Sequence, residues 1–331
     1  MGSYRLLLAI AVVISHFGIW PHGISPGVVA VVSFFVISGY VTTALVEKYY
    51  ADPGTFPAFL LDRAMRLFPQ YLFYLFVAWV ILAFLHPADP AAPVLSAKLV
   101  LGNLLMVPTD FYMLFQHPVV MNPPTWTLGL EFTFYMALPL LIRWKMRSPA
   151  FVLSFAIFLL AFTGVLDTDV YGYRLIPGTL FIFLCGSFMR PSATRTQRWL
   201  VVGAWTGTLA MLGAYMFTER FNAHYNIEMV TGILVGVPIV ALLSRYRYRK
   251  ADEVFGNVSY GVYLNHFPLI WIFAAMGLAP ATIRMQLVVI VTSFALSWLT
   301  YTLIERPVIR ARHKIRRRES APSALQAQSA G

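Results

Sequence analysis

Residues 27–47 read GVVAVVSFFVISGYVTTALVE, with no charged side chain before Glu47. Twenty such residues wound as an α-helix rise about 30 Å, the thickness of a bilayer's hydrocarbon core. Working outward, apolar runs of similar length recur at 6–20, 67–86, 97–115, 125–142, 150–166, 173–189, 199–217, 228–244, 257–277 and 283–304. Over all 331 residues, 59% are hydrophobic and only 12% charged, which excludes a water-soluble globular domain. The fold class expected is therefore all-α, a polytopic membrane helix bundle.

The formal charge of +11 decides how many runs cross. Cations gather in alternate loops: Lys48, Arg63 and Arg66; Arg143, Lys145 and Arg147; Arg190, Arg195 and Arg198; Arg245, Arg247, Arg249 and Lys250. The C-terminal group is Arg306, Arg310, Arg312, Lys314, Arg316, Arg317 and Arg318. Intervening loops carry Asp89, Asp167, Asp169, Glu219 and Glu228. Lys and Arg are retained on the cytoplasmic side, and this alternation holds throughout only if 97–115 does not cross. About ten transmembrane helices are expected, with both termini cytoplasmic and one re-entrant or interfacial segment near 97–115. Residues 1–311 form the membrane domain and 312–331 a basic, then disordered, cytoplasmic tail. In such a chain the basic excess marks sidedness and predicts no nucleic-acid partner. The single Cys185 excludes an intramolecular disulfide, and the seven scattered histidines give no metal signature.

Ionisable groups inside spans are costly and each is a functional hypothesis. His16 stands eleven residues after Arg5, about 16 Å along a helix, which puts it near or just beyond mid-membrane when Arg5 lies at the inner face. Glu131 lies in the run 125–142 and His266 near the start of 257–277. Ser38 and Gly39 offer a hydroxyl and a close backbone approach, which small-residue helix packing explains equally well. Arg63 and Arg66 share one helical face, where two forked cations suit a ligand with several phosphates. The plainer alternative is anchoring at the membrane boundary, with Asp62 bridging to Arg66.

The order of these pieces resembles one family. Arg5 with His16, Phe34-Phe35-Val36-Ile37-Ser38-Gly39-Tyr40, Arg63-x-x-Arg66 before Leu67-Phe68-Pro69, and Trp126-Thr127-Leu128-x-x-Glu131 come first. Ser259-Tyr260-x-x-Tyr263-Leu264-x-His266-x-Pro268 and Ile304-Glu305-x-Pro307 follow. The chain is similar to the acyltransferase-3 family of integral membrane enzymes that O-acylate cell-surface glycans. Tyr40 stands where that family more often has Phe, Thr127 where it has Ser, and Phe132-Thr133 where it has an acidic or amide pair. The family often carries a fused extracellular esterase-like domain, for which this chain has no room.

The resemblance implies acyl-coenzyme A, most often acetyl-coenzyme A, as donor substrate with no tightly bound cofactor. It implies a saccharide hydroxyl as acceptor, on an O-antigen, exopolysaccharide or similar glycan, and a place in the bacterial inner membrane among its lipids. Arg5, Arg63, Arg66, Ser38 and Gly39 are then the donor-binding positions. His16 is the general base or, in a relay, the acyl carrier, and Glu131 either orients its imidazole or holds the sugar. Trp126, Tyr263 and His266 are assigned to the acceptor. A proton-coupled transporter or lipid-linked-sugar flippase is the competing class, against which stand the paired arginines and the lack of an internal repeat.

Overall fold

The computed structural model describes residues 1–114, 120–246 and 250–312. Among these there is no strand. Eleven α-helices are found: α1 Gly2–His16, α2 Pro26–Tyr49, α3 Phe56–Phe84, α4 Ala97–Leu105, α5 Trp126–Arg143, α6 Arg147–Phe162, α7 Ile176–Phe188, α8 Arg195–Phe217, α9 Asn226–Leu243, α10 Lys250–Ala275 and α11 Ile283–Thr300. A π-helical turn, Tyr301–Glu305, carries α11 on to Arg312.

The decisive stretch is the hub. Pro26 opens α2 at a position where its missing N–H costs nothing, and almost every residue from Gly27 to Val46 is buried or partly so. The helix packs on α7, α9 and α1, and α10 packs on α1 and α11. A methyl group at Gly39 would lie 1.7 Å from the carbonyl oxygen of Phe183, and one at Gly186 would lie 1.9 Å from that of Val36. Two glycines facing each other's backbone bring α2 and α7 closer than any other residue allows.

Helices at the periphery are apolar outward. Trp199, Val202, Leu209 and Phe217 on α8, and Ile283, Leu287, Val291 and Leu303 on α11 and its extension, are exposed. Faces this apolar are solvated by lipid, not water. Among the described residues, six helical stretches are long and apolar enough to cross a bilayer: Pro26–Tyr49, Pro53–Phe84, Pro123–Arg143, Arg195–Phe217, Asn226–Leu243 and Ile283–Arg312. The other expected crossings fold as α1, α6 and α7, which are shorter, and as α10, which is long but interrupted by Asn257, Asn265 and His266.

Segment 97–115 departs from a plain span. Helix α4 is nine residues, about 14 Å, and ends at Met106 with φ +62 before a 3-10 helix, Val107–Leu114. Asn103 pins it: its Oδ1 accepts from the Met121 amide at 3.0 Å, and its carbonyl accepts from the Tyr71 hydroxyl at 2.8 Å. Of the C-terminal basic group, Arg312 is buried, with Nη2 3.2 Å from Asp62. Arg247, Arg249 and residues 313–331, which hold the rest of the expected tail, lie outside the described residues.

Candidate active site

Helix α1 connects two cavities. Near its start Arg5 lines the first, about 430 Å³, with Arg63 and Arg66 of α3, Arg312, Ser38 of α2, Glu131 and Tyr135 of α5 and Tyr260 of α10. At its end His16 lines the second, about 530 Å³, with Trp126, Arg174, Tyr225 and Phe267. Eleven residues of helix separate Arg5 from His16, so the cavities are stacked roughly 16 Å apart along the bundle. Val31, Thr127 and Tyr263 line both and form the partition. The Thr127 and Tyr263 hydroxyls are 2.7 Å apart, and Tyr263 also donates to the Pro124 carbonyl at 2.9 Å.

The first cavity gathers four arginines among the carboxylates of Glu131, Asp252 and Glu253. Arg63 pairs with Asp62, its Nε at 3.1 Å and Nη2 at 2.5 Å, and Asp62 also meets Arg312. Arg66 pairs with Glu305 and lies over the Tyr260 ring, 5.1 Å from its centroid. The Asp62–Arg66 bridge of the plainer alternative is not formed: adjacent Asp62 and Arg63 meet each other, and Arg66 turns to the π-helical turn. Arg5 makes no ion pair among the described residues. The Ser38 hydroxyl donates to Glu131 Oε1 at 2.6 Å, and Tyr135 donates to the same oxygen.

Beside the second cavity the histidines meet. His266 is fully buried, with Nδ1 3.1 Å from the Val262 carbonyl and Nε2 3.0 Å from His16 Nδ1. The rings stack at 5.0 Å with a 25° tilt, and Phe267 packs edge-on against His16. A carbonyl only accepts, so His266 Nδ1 carries its proton, and His266 Nε2 then accepts from His16 Nδ1–H. This leaves Nε2 of His16 as the nitrogen with a lone pair. The rotation of α10 that sets this contact is locked by polar bonds. Asn265 Nδ2 donates to the Ser293 carbonyl at 2.9 Å, Ser293 Oγ donates back to Asn265 Oδ1 at 2.5 Å, and Asn122 Nδ2 donates to the Leu264 carbonyl at 2.8 Å.

The residues singled out in the sequence fall into two groups. Arg5, Arg63, Arg66, Ser38 and Glu131 converge on the first cavity, while His16 and Trp126 face the second. Tyr263 stands between. Three placements differ from expectation. His266, expected at the acceptor, lines neither cavity and instead backs the His16 ring. Glu131 bonds across to Ser38 and Tyr135 and does not meet His16; the imidazole's partner is His266. Gly39 lines neither cavity and faces α7, because its missing side chain is used for helix contact. Sequence reading misses the His16–His266 bond and Arg174. Arg174 does leave a signal, since it is one of few cations outside the basic loops. Among the described residues no three His, Cys, Asp or Glu side chains are grouped to hold a metal.

Fold and site together define an integral membrane protein with a basic pocket at one end and a histidine-bearing pocket at the other. Residues 4–302 match the family described as "Acyltransferase domain", and the chain belongs to this acyltransferase-3 family, the one its motifs resemble. It is 33% identical to an uncharacterized protein of Aquifex aeolicus over 59% of this chain and 91% of that one. It is 23% identical to the peptidoglycan O-acetyltransferase OatA of Listeria monocytogenes over 93% of this chain and 55% of that protein. It is 25% identical to the O-acetyl transferase of Shigella phage Sf6 over 85% of each. The chain thus spans about half the length of the Listeria relative. No solved structure matches it.

Proposed function

We propose that the chain is a membrane O-acyltransferase that moves an acyl group, acetyl first, from coenzyme A to a saccharide hydroxyl. The observation that carries this reading is the 3.0 Å contact of His16 Nδ1 with His266 Nε2 beside the second cavity, a pairing that keeps His16 Nε2 for a proton. Coenzyme A is polyanionic, and the arginines of the first cavity suit its phosphates. Its thin thioester arm reaches along α1 and past Tyr263 toward His16. Nε2 takes the acceptor hydroxyl's proton as the oxygen attacks the thioester carbon. The carbon–sulfur bond breaks, the thiolate takes the proton from His16, and ester and thiol leave. As His16 gains charge, its bond to His266 becomes charge-assisted and stronger, so the neutral partner stabilises the transient imidazolium. His266 acts here as a positioning residue.

The alternation of basic loops supports ten crossings with both termini in the cytoplasm of a bacterial inner membrane. The first cavity then opens to the cytoplasm, where acyl-coenzyme A is made, and the second to the outer face.

Among the arginines, Arg5 gives the clean test. Arg66→Ala strands the buried Glu305 carboxylate and Arg63→Ala leaves Asp62 to Arg312 alone, so each perturbs the bundle whatever its effect on the donor. Among the described residues, Arg5 leaves no ion-pair partner behind. Arg5→Gln is expected to raise the KM for acetyl-coenzyme A about tenfold, the loss of one charged hydrogen bond, with kcat and the acceptor KM little changed. Steady-state kinetics with labelled acetyl-coenzyme A checks this; an unchanged donor KM would reduce Arg5 to a topology signal.

A further inference from the structure

The far wall of the second cavity is organised around a cation. Arg174 closes the π-helical turn Thr168–Arg174 and bonds through Nε to Asp169 Oδ1 at 2.6 Å. Four aromatic rings surround its guanidinium carbon, with centroids at 4.9 Å for Trp126, 5.2 Å for Tyr173, 5.5 Å for Tyr112 and 5.7 Å for Tyr225. The rings come from four separate places in the chain, and all four line the cavity that holds His16. A guanidinium over several π faces holds each of them in place.

Tyr225 adds an independent sign. Its backbone is left-handed, with φ +66, a conformation that costs a bulky residue energy and persists only where the surroundings impose it. That conformation sets the start of α9 and lays the ring edge-on to Tyr173, centroids 5.2 Å apart.

The chemistry of this wall differs from that of the first cavity. Asp169 offsets the charge of Arg174, so the wall is aromatic and phenolic with little net charge; Tyr112 and Tyr225 are half-buried, and Trp126 and Tyr173 are buried behind them. A phosphate-bearing ligand finds its match among the four arginines at the other end. A pyranose finds it here, since its C–H face lies on an aromatic ring while its hydroxyls exchange hydrogen bonds with the phenols. We propose that Arg174 and its four rings form an acceptor subsite that binds one pyranose unit and sets which of its hydroxyls meets His16 Nε2. This rests on the acyltransferase reading above and adds the acceptor's binding surface and the origin of its positional selectivity.

The test uses membrane vesicles from cells that make the natural glycan, given radiolabelled acetyl-coenzyme A. Tyr225→Ala is expected to lower label in the saccharide fraction about tenfold with the KM for acetyl-coenzyme A unchanged, and Tyr225→Phe, which keeps the ring, to restore most of it. Arg174→Lys, which frees the rings, is expected to spread the acetyl over more than one hydroxyl, read by NMR of the purified glycan. Wild-type rate and position in both Tyr225→Ala and Arg174→Lys would overturn the proposal, as would a raised KM for acetyl-coenzyme A in Tyr225→Ala. Absence of labelled saccharide with the unmodified protein would instead overturn the acyltransferase reading, and this subsite with it.

Discussion

His16→Ala is expected to lower acyl transfer by about a thousandfold, within the range that a positioned general base supplies. The argument rests on geometry. With Nδ1 bonded to His266, His16 offers one basic nitrogen to the second cavity, and no other histidine lines that cavity among the described residues. Binding of acetyl-coenzyme A should persist, because the first cavity is built from Arg5, Arg63, Arg66 and Arg312 and does not include His16. Isothermal titration with the donor alone and transfer of label to glycan separate these two properties. Turnover within tenfold of the unmodified protein would remove His16 from the chemistry. Loss of donor binding together with turnover would mean that the cavities are not independent. An acylated His16 trapped with donor alone would place the acyl group on the imidazole before transfer.

Gly39→Ala is expected to be strongly destabilising at the bundle's centre. Its new carbon would meet the Phe183 carbonyl oxygen at 1.7 Å, and backbone cannot swing aside as a side chain does. Helices α2 and α7 must separate, and Gly186, which faces Val36 across the same contact, loses its fit as well. Overpacking of this kind costs about 3 kcal/mol or more when no rotamer relieves it. The matched control is Gly203→Ala on α8, where an added methyl meets nothing within 4 Å. Thermal unfolding of the purified proteins in detergent should show a Tm well below the parent for Gly39→Ala and one near it for Gly203→Ala. Equal Tm values would mean that α2 and α7 do not pack through these glycines.

The helical bundle is legible because lipid leaves the sequence little freedom. Runs such as 27–47 must be apolar and of span length, and the alternating cations add a sidedness that length alone lacks. The charge pattern is consistent only without 97–115 as a span, and within that run α4 is nine residues long and is followed by a 3-10 helix. Arg5, Arg63 and Arg66 line one cavity, although from sequence alone they read equally well as anchors at the membrane boundary. Pairings are not readable. His16 and His266 stand 250 residues apart, and neither periodicity nor composition states that α1 lies on α10. Asp62 illustrates the same limit, since helical spacing favours a partner four residues on, while the bundle supplies Arg312 from the other end of the chain. Glu131 is found by its oddity in an apolar run, but its partners Ser38 and Tyr135 emerge only from the fold.

The central claim is that one passage joins a basic donor pocket on the cytoplasmic side to His16 in an acceptor pocket on the other. Sealed inside-out vesicles carrying the protein and its glycan, given labelled acetyl-coenzyme A outside, test it most directly. The account predicts one free thiol outside for each labelled ester formed on saccharide inside, and neither product with His16→Ala. Labelled ester that forms only when donor is supplied to the vesicle interior, or glycan movement with no thiol released, would contradict it.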